Sequence, residues 1–481
     1  MKRTILMERV LDETRVAVIE DGALCELYIR RPGDENIAGN IYLGRVERVL
    51  PGMNAAFVDI GLEKKGFLAA GDIRLFSQDG TLAARLNQAR IEDLVKPGQE
   101  IPVQVVKSQP GMKGPRLSCH ITQAGRLVAL LTELKYVGVS HKIIDPKERD
   151  RLHAVGQSLV DAGNSGVIIR TAAEGASEAE IRADYAVLTE LWDGIKARAM
   201  RVKAPKLLRD DGNLSMRVVR DMLTGEVDAI WSDDADCHRE LKEYARTFAP
   251  EYADRVRLHE GSVPLFDLYR VDAQADEALQ KYVWLKSGGS LVIEETEALT
   301  VVDVNTGKNT GRKLLEETLY ENNREAAREL MRQLRLRDIG GIVVVDFIDM
   351  RSREQKEALL DLLKECAARD RNRVTVVDIT PLGLVELTRK KVRQSLSRQL
   401  TRTCSACDGN GVVYAHETTA RRAARDIWRR RRSGDGGRIV IEAAPAVCTL
   451  LRSIGVREAF DVNIKAVEGM GAGEYRLSTF E

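Results

Sequence analysis

Apolar and polar positions alternate along the first part of the chain in short segments that are typical of β-strands. Segments 15–19 and 24–29 flank Asp21-Gly22, a pair that favours the tight turn of a β-hairpin. Five further short strands are expected between glycine-rich turns, at 41–49, 54–60, 66–69, 101–107 and 116–121. Their number and length predict a small barrel of the OB type, with the polar stretch 77–99 as an insertion.

The middle of the chain changes to a mixture of helices and strands. Residues 167–171 favour a strand, and Ser177 to Glu180 form a capping box that opens a helix. The apolar positions of that helix recur at helical spacing, at Ile181, Tyr185, Leu188, Leu191, Trp192 and Ile195. Residues 206–280 show no clear pattern.

Two apolar runs, 299–304 and 342–345, predict buried strands of an α/β sheet. The segment from about 312 to 338 has a helical pattern, so we expect a strand–helix–strand crossover with parallel strands. A second helix begins at the capping box of Ser352 and precedes a third strand at 374–379.

Asp303, Asn305 and Asp346 lie at the ends of those two runs. Parallel strands bring both carboxylates to the same edge of the sheet, and residues two apart in a strand point the same way. Three converging oxygen ligands suit a hard cation such as Mg²⁺, and this arrangement indicates phosphate chemistry. The alternative is that each short acid simply caps the helix that follows it.

Composition indicates a globular protein of about three to four domains in 481 residues. Its 44% hydrophobic and 31% charged residues are ordinary for that class. No apolar run approaches the ~20 residues that cross a bilayer, and the N-terminus becomes charged too early for a signal peptide. We therefore expect a cytoplasmic protein. Seven scattered cysteines argue against a disulfide framework.

Net charge alone predicts no partner, because 74 Lys and Arg balance 73 Asp and Glu. The cations are nevertheless concentrated in two blocks, at 389–402 and 421–438. Local basic patches can bind a polyanion even on a neutral protein. The alternative for either block is a solvated helix face.

The predicted barrel carries residues that suit unpaired nucleic acid. Phe57 and Phe67 occupy neighbouring strands in a chain that is only 5% aromatic, and three cations lie on or near the later strands, Lys107, Lys113 and Arg116. Bases stack on aromatic rings while phosphates pair with cations, and each stacked base contributes ~1–3 kcal/mol. The alternative is that both phenylalanines belong to the barrel core.

Cys404 and Cys407 are separated by two residues and followed by Gly409 and Gly411. Two thiolates at this spacing can chelate one Zn²⁺, and the glycines permit a tight turn. A structural zinc needs four ligands, so either His416 supplies a third or two chains contribute one pair each. A redox pair is the competing interpretation, although redox motifs open a helix and do not precede glycines.

Together these features resemble the bacterial ribonucleases of the E/G family over nearly the whole chain. The most specific segments are 297–305, 341–350, 383–389 and the cysteine pair. The chain stops soon after that pair, which favours the shorter G form over the form with a long scaffold tail for other partners. The resemblance implies an endoribonuclease that cuts single-stranded, A/U-rich RNA and leaves a 5′-phosphate and a 3′-hydroxyl.

Several residues of this sequence match the positions of the family's site residues. The resemblance implies that Asp303 and Asp346 bind Mg²⁺, which would activate water and stabilise charge on the scissile phosphate, and that Asn305 supports them. The positions that it implies for holding RNA are Phe57, Phe67, Lys113 and, at the substrate phosphate, Arg373.

The family also has a pocket that senses a 5′-monophosphate, and Gly125, Arg170 and Thr171 match it. A guanidinium fork beside a hydroxyl suits a terminal phosphate. This chain departs from the family pattern at Ala129, where valine is common, and at His141-Lys142, where an arginine pair is common. Ser405 replaces the proline that usually follows the first cysteine. The resemblance still implies a Zn²⁺ shared between two chains of a homodimer or a dimer of dimers.

The implied organisation is an α/β multidomain protein. An RNase-H-like region in two parts, 1–37 and 214–279, contains an inserted OB-fold barrel at 38–121 and a 5′-sensor at 122–213. A DNase-I-like catalytic domain at 280–400, a zinc link at 401–415 and a small C-terminal domain at 416–481 follow. The implied roles are rRNA 5′ maturation and mRNA turnover.

Two other functions would use part of the same features. A non-catalytic RNA-binding protein would keep the barrel and the basic blocks, but the trio of Asp303, Asn305 and Asp346 argues against it. A metal-dependent nucleotide hydrolase would use the carboxylates, but it would have no use for Phe57 and Phe67 on a separate barrel. We therefore expect a Mg²⁺-dependent endoribonuclease whose partner is single-stranded RNA, with no membrane association.

Overall fold

The computed structural model describes residues 2–31, 37–73, 90–107, 114–132, 134–163, 165–211, 214–307, 315–434 and 437–480. The chain is a mixed α/β protein, as predicted, and it divides into two compact units, Met1–Leu396 and Ser397–Glu481. Among the helices in these ranges, none is long and apolar enough to cross a membrane.

The chain begins with three antiparallel strands, β1 (Arg3–Val10), β2 (Glu13–Glu20) and β3 (Ala23–Arg30). Asp21 and Gly22 adopt positive φ angles of 49° and 86° in the turn between β2 and β3. A turn of this hand follows the right-handed twist of the strands that it joins. The predicted hairpin is therefore confirmed.

Five strands close into a barrel, β4 (Ile41–Leu50), β5 (Ala55–Asp59), β6 (Gly66–Ala69), β7 (Glu100–Lys107) and β8 (Arg116–Ser118). The strand order is β4-β5-β6-β8-β7, and β4 pairs again with β7. The helix α1 (Ile91–Leu94) places Ile91 in the barrel core beside Val58 and Leu117. The predicted OB-type barrel is confirmed, although β8 ends three residues earlier than expected.

A second sheet with two helices follows the barrel, built from β9 (Thr122–Ala124), β10 (Val128–Leu131), β11 (Val137–Val139), α2 (Pro146–Ala162), β12 (Gly166–Ile169) and α3 (Glu178–Ala199). Ser177 and Glu180 each accept a hydrogen bond from the other's backbone N–H, so the predicted capping box is present at the start of α3. Leu191 is exposed, because it lies at the rim of the buried stripe formed by Ile181, Leu188 and Trp192.

Strand β13 (Lys206–Arg209) returns the chain to the barrel and pairs antiparallel with the first residues of β4. The residues at which the chain enters and leaves this region lie side by side. The Asn40 side chain accepts a hydrogen bond from the Asp211 N–H at 2.9 Å. The barrel and the second sheet therefore form one insertion that leaves and rejoins the rest of the unit at a single place.

Residues 214–278 complete the sheet that β1 begins, through α4 (Leu214–Met222), β14 (Val227–Ser232), α5 (Ala235–Phe248), β15 (Val256–Leu258), α6 (Leu265–Leu268) and α7 (Val271–Ala278). Strand β14 pairs parallel with β1, and β15 pairs parallel with β14. The order β15-β14-β1-β2-β3 defines what we call the N-terminal sheet.

The next six strands form what we call the carboxylate sheet, β16 (Tyr282–Trp284), β17 (Ser290–Glu295), β18 (Leu299–Asn305), β19 (Gly341–Asp346), β20 (Val374–Ile379) and β21 (Val385–Arg389). Helix α8 (Leu315–Leu336) crosses from β18 to β19, which are parallel as predicted. Helix α9 (Arg353–Ala368) precedes β20, and α10 (Leu396–Leu400) follows β21.

The strand order in this sheet is β16-β17-β18-β19-β21-β20. Strand β20 runs in the same direction as β19, as a crossover requires, but β21 lies between them and is antiparallel to both. Helices α8 and α9 cover one face, where Val302, Val343 and Leu330 lie in the core. The other face, which we call the open face, carries exposed side chains such as Val301 and Ile342.

Helix α8 joins the carboxylate sheet to the N-terminal sheet through buried charges. Arg335 donates to Glu20 at 2.8 and 2.9 Å and to Glu26 at 2.7 Å. Burial raises the pKa of Glu26, but Arg371 and Arg335 outweigh it and bring that pKa to about 2. The ionised Glu26 therefore stabilises the fold above the pH at which an unfolded glutamate titrates, and this contribution is lost as the pH falls.

A second buried network lies within the basic block at 389–402. Arg389 donates to Asp338 and Asp370, both at 2.7 Å, and Arg393 also donates to Asp338. The side chains of Arg389 and Asp338 are each only 4% exposed. Arg389 and Arg393 therefore neutralise buried carboxylates and do not form the exposed basic patch that the sequence allowed.

The second unit contains α11 (His416–Arg432), β22 (Arg438–Ala443), α12 (Pro445–Ser453), α13 (Val456–Phe460), β23 (Val462–Ala466) and β24 (Tyr475–Phe480). The strand order is β23-β22-β24. Helix α11 packs Ala423 and Ile427 into the core of this unit, while Arg421 and Arg425 on its opposite side are exposed. The solvated helix face considered for the second basic block is thus present.

Replacing Asp338 by Ala is expected to lower the free energy of unfolding by about 3–5 kcal/mol, because Arg389 would keep a buried charge without this partner. Urea unfolding followed by far-UV circular dichroism measures the change. Arg353→Ala is the matched control, since its ion pair with Glu357 is exposed and such pairs contribute at most about 1 kcal/mol. Equal effects of the two substitutions would show that burial of the Asp338 network is not what stabilises the fold.

Candidate functional site

The parallel register of β18 and β19 places Asp303 directly beside Asp346. Side chains alternate along both strands, so Val302 and Val345 enter the core while Asp303, Asn305 and Asp346 lie on the open face. The Asn305 side-chain amide donates to Asp303 Oδ2 at 2.8 Å. The structure therefore brings the three predicted side chains together at the carboxyl ends of two neighbouring strands.

The helix-capping alternative does not apply to Asp346. The helix that follows it, α9, is capped by Ser352, whose hydroxyl accepts a hydrogen bond from the Gln355 N–H. Among the described residues, neither Asp303 nor Asp346 forms an ion pair, and both side chains are exposed. Two adjacent carboxylates without a cationic partner favour the binding of a cation.

The donor set matches what Mg²⁺ takes from proteins. The part of the chain that the structure describes holds no group of three or more His, Cys, Asp and Glu side chains arranged for a metal. Asp303 and Asp346 offer two carboxylates and Asn305 an amide, which leaves further coordination positions to water and to substrate oxygens. Mg²⁺ typically binds through one or two carboxylates together with water and phosphate.

Asn323 on α8 supports the segment that follows Asp346. Its side chain is fully buried, accepts a hydrogen bond from the Ile348 N–H at 3.0 Å and donates to the Ile348 carbonyl at 2.7 Å. This pair of hydrogen bonds fixes the chain two residues beyond the carboxylate. Asn323 was not predicted from the sequence, although a polar residue on the same helix face as the buried Ala326 and Leu330 was a usable signal.

Arg373 lies at the other end of the carboxylate sheet. It immediately precedes β20, and its carbonyl accepts a hydrogen bond from the Lys390 N–H at 2.9 Å, next to the start of β19. The length of β19, about 17 Å, separates that end from Asp346. The neighbouring Arg371 carbonyl accepts a hydrogen bond from Lys142 Nζ at 3.5 Å, so this end of the sheet faces the second sheet.

A row of aromatic and cationic side chains crosses the outside of the barrel. Cross-strand pairing places Phe57 beside Phe67, Phe67 beside Arg116, and Arg116 beside Lys107. The two rings meet edge to face with centroids 6.2 Å apart. Both are partly exposed, whereas their neighbours along the two strands, Ala56, Val58 and Leu68, are buried, so neither phenylalanine is a core residue.

The ends of this row differ from the prediction in two respects. Arg48, which was not among the predicted residues, pairs with Phe57 on the other side and extends the row with an exposed cation. Arg116 already donates to Asp72 at 2.9 Å, while Lys107 is exposed. The predicted Lys113 lies outside the described residues.

The predicted sensor residues meet on the second sheet. Arg170 donates to the Gly125 carbonyl and, at 2.9 Å, to Asp221 Oδ1. The next residue, Thr171, shares a hydrogen bond of 2.9 Å with the Ser140 hydroxyl. A Cβ atom at Gly125 would lie 2.5 Å from an oxygen of Asp184, so this close approach requires glycine. The structure thus brings Gly125, Arg170 and Thr171 together.

Asp221 and Arg220 fix the Arg170 guanidinium, and both were missed in the sequence because their segment gave no clear pattern. Arg220 donates to Asp221 Oδ2 at 2.9 Å. Burial raises the pKa of the Asp221 carboxyl, but Arg220 and Arg170 outweigh burial and lower that pKa. Asp221 is therefore ionised at neutral pH and holds Arg170 in one orientation.

The segment with Cys404 and Cys407 forms a tight knuckle. The N–H groups of Ala406 and Cys407 donate to the Cys404 sulfur, which lowers the pKa of that thiol. Asp408 and Gly409 both have positive φ, and the Asn410 N–H donates to the Cys407 carbonyl at 2.9 Å. His416 begins helix α11, and within the described residues it does not complete a set of three metal ligands with the two thiols.

Comparisons with known proteins agree on one family. The family model described as Ribonuclease E/G family matches residues 122–392. Ribonuclease G of Haemophilus influenzae is 41% identical over 449 residues, which cover 93% of this chain and 91% of that protein. Ribonuclease G of Escherichia coli K12 is 40% identical over 94% of this chain and 93% of that protein. Ribonuclease E of H. influenzae is 36% identical over 87% of this chain and 45% of that protein.

Proposed function

Because the chain belongs to the ribonuclease E/G family and is an endoribonuclease, we propose that it cleaves single-stranded RNA at Asp303, Asn305 and Asp346. The observation that carries this proposal is the parallel register of β18 and β19, which sets the two carboxylates side by side on the open face. Helices α8 and α9 pack on the other face of the sheet, so a polymer can approach the carboxylates from the open face.

Asp303 and Asp346 would hold the catalytic Mg²⁺. When bound, Mg²⁺ supplies an activated water and neutralises the charge that develops on the scissile phosphate. Asn305 donates to one oxygen of Asp303 and so orients the carboxylate, which leaves the other oxygen for the metal. Asn323 holds the segment after Asp346 and keeps that carboxylate at the end of its strand. Hydrolysis in this site leaves a 5′-phosphate and a 3′-hydroxyl.

The barrel row accounts for the preference for unpaired RNA. Phe57 and Phe67 offer partly exposed rings to bases, and Arg48 and Lys107 place cations at the two ends of the row for phosphates. Stacking needs bases that are free of a duplex, which A/U-rich regions provide. We also propose that Lys113, which lies outside the described residues, binds RNA.

A 5′-monophosphate would bind at Arg170 and Thr171. Asp221 and the Gly125 carbonyl hold the guanidinium in place, and the Thr171 hydroxyl lies next to it in the chain. Ordered donors of this kind form short, charge-assisted hydrogen bonds to phosphate oxygens. Arg373 lies at the end of the carboxylate sheet that faces the second sheet. This position suits a contact with a substrate phosphate away from the scissile bond.

A zinc ion shared between two chains would join them at Cys404 and Cys407. The spacing of the two thiols and the tight left-handed turn at Asp408 and Gly409 suit a pair of thiolate metal ligands. Two thiols per chain supply half of a four-ligand site, so the assembly is a homodimer or a dimer of dimers. We further propose the family's domain division for this chain, a cytoplasmic location, and roles in rRNA 5′ maturation and mRNA turnover.

Asp346→Asn should reduce cleavage by at least about 1000-fold, because it removes the charge of a metal ligand. RNA affinity should stay nearly unchanged. The assay incubates a 5′-phosphorylated A/U-rich oligonucleotide with and without Mg²⁺ and identifies the product ends by mass spectrometry. Asp378→Asn is the matched control, an exposed aspartate of β20 in the same sheet. Wild-type rates for the Asp346 variant would refute the catalytic assignment.

Arg170→Ala should remove the preference for 5′-monophosphorylated over 5′-hydroxyl RNA, a loss of about 10- to 100-fold for charge-assisted hydrogen bonds. Competition between the two oligonucleotides in one reaction measures the preference directly. Arg182→Ala serves as the control, since Arg182 forms an exposed ion pair with Glu178 on α3. A variant that keeps the full preference would exclude Arg170 from phosphate sensing.

Cys404→Ser should lower both the zinc content and the mass of the assembly, because two such variants retain only two thiol ligands between them. Light scattering gives the mass, and atomic absorption gives the metal. Cys366→Ser, on α9 of the first unit, should change neither quantity. An unchanged mass and zinc content in the Cys404 variant would rule out a shared ion.

A further inference from the structure

Two aromatic side chains stand exposed on the open face of the carboxylate sheet. Tyr282 is 55% exposed and Trp284 is 76% exposed, both on the edge strand β16. Trp192, by comparison, is 5% exposed. Exposing so much ring surface to water is unfavourable, so a ligand that covers these rings gains stability from their burial.

The register of the sheet places both rings on the same side as the carboxylates. Tyr282 pairs with Val292, Val292 pairs with Asp303, and Asp303 pairs with Asp346. One step along the strands, Trp284 pairs with Ser290, and Ser290 pairs with Asn305. Two strand spacings, about 10 Å, therefore separate the aromatic strand from the carboxylate strand β18.

Alternation along β16 confirms this orientation. Val283, between the two aromatic residues, packs against the core on the covered face. Tyr282 and Trp284 must therefore point to the open face, as Asp303 and Asn305 do. The two rings and the two carboxylates share one surface, with Val292 and Ser290 of β17 between them.

We propose that Tyr282 and Trp284 form an aromatic platform that stacks an unpaired base of the RNA next to the scissile phosphate. The proposal rests on cleavage at Asp303 and Asp346 and adds a substrate contact to that site. A phosphate at the carboxylates places the neighbouring nucleotide within reach of β16, and any base presents a flat face for stacking. The platform and the barrel row would then hold different nucleotides of one strand.

The surroundings of the platform favour a nucleotide over a second protein chain. Trp284 pairs with Ser290 of β17, and the same face carries Asn305 and Asp303 one strand further on and Asp346 on the next strand. The core of a protein interface is in contrast depleted of charged residues and of serine. A nucleotide can stack its base on the ring while its phosphate lies towards the carboxylates.

The first test removes the base and the side chain separately. A series of A/U-rich oligonucleotides carries one abasic nucleotide at successive positions around the cleavage site, and kcat/KM is measured with saturating Mg²⁺. Wild-type protein should lose about 10-fold at one position next to the scissile phosphate, a loss that lies within the range for one stacked base. Trp284→Ala should lose as much on the intact oligonucleotide and show no further abasic penalty at that position.

Two variants serve as controls for this test. Trp284→Phe keeps a ring that can stack and should retain most of the rate and the abasic penalty. Phe480→Ala removes an exposed ring from β24 of the second unit and should change neither quantity. An abasic penalty that persists in full in Trp284→Ala, with Tyr282→Ala behaving likewise, would overturn the platform.

A second measurement needs no cleavage and separates this inference from the proposed function. Oligonucleotide added without Mg²⁺ stays uncleaved and should quench tryptophan fluorescence in the wild type, and Trp284→Phe should lose most of that quench. Loss of the quench supports the platform even if Asp346→Asn cleaves normally and the catalytic assignment fails. An equal quench in wild type and variant would show that RNA does not contact this ring. A lower mass of Trp284→Ala by light scattering would show instead that a second copy of the chain covers the ring.

Discussion

The parallel pairing of β18 with β19 is the constraint on which the site depends. Parallel neighbours require a crossover, and α8 supplies it by packing on one face of the sheet. That face takes Val302 and Val345, and the alternation of side chains then sends Asp303 and Asp346 to the other face. A shift of the register by one residue would bury the carboxylates and expose the valines, so the core and the site are specified together.

Helix α8 has a second role, because it also anchors the N-terminal sheet. Arg335 binds Glu20 and Glu26, and Arg332 donates to the Leu24 carbonyl. The same helix carries Asn323, which holds the segment after Asp346. Arg335, Arg332 and Asn323 differ in side-chain type, but each makes hydrogen bonds to buried polar groups of a neighbouring element. Buried polar groups need such partners. The position of the carboxylates is thus tied to the N-terminal sheet through one rigid element.

Local patterns in the sequence were sufficient for much of the fold and for the central trio of the site. The turn at Asp21-Gly22, the capping box at Ser177 and the period-two pattern around Asp303 all depend on residues close in the chain. The order of the strands in the sheet was harder to predict. A crossover fixes the direction of β20, but it does not show that β21 lies between β19 and β20. Asp221 and Asn323 were missed for a related reason, since Arg170 lies 51 residues from Asp221 and Ile348 lies 25 residues from Asn323.

The single junction of the inserted barrel and second sheet has a mechanical consequence. The chain enters beside Asn40 and leaves beside Asp211, and β13 lies along β4 between those points. Two paired strands form that junction, and the ion pair of Arg170 with Asp221 of α4 is a second tie between the insertion and the rest of the unit. The side chain proposed to read the first nucleotide of an RNA therefore also helps to fix the insertion that carries Phe57, so the sensor and the grip on the chain are mechanically linked.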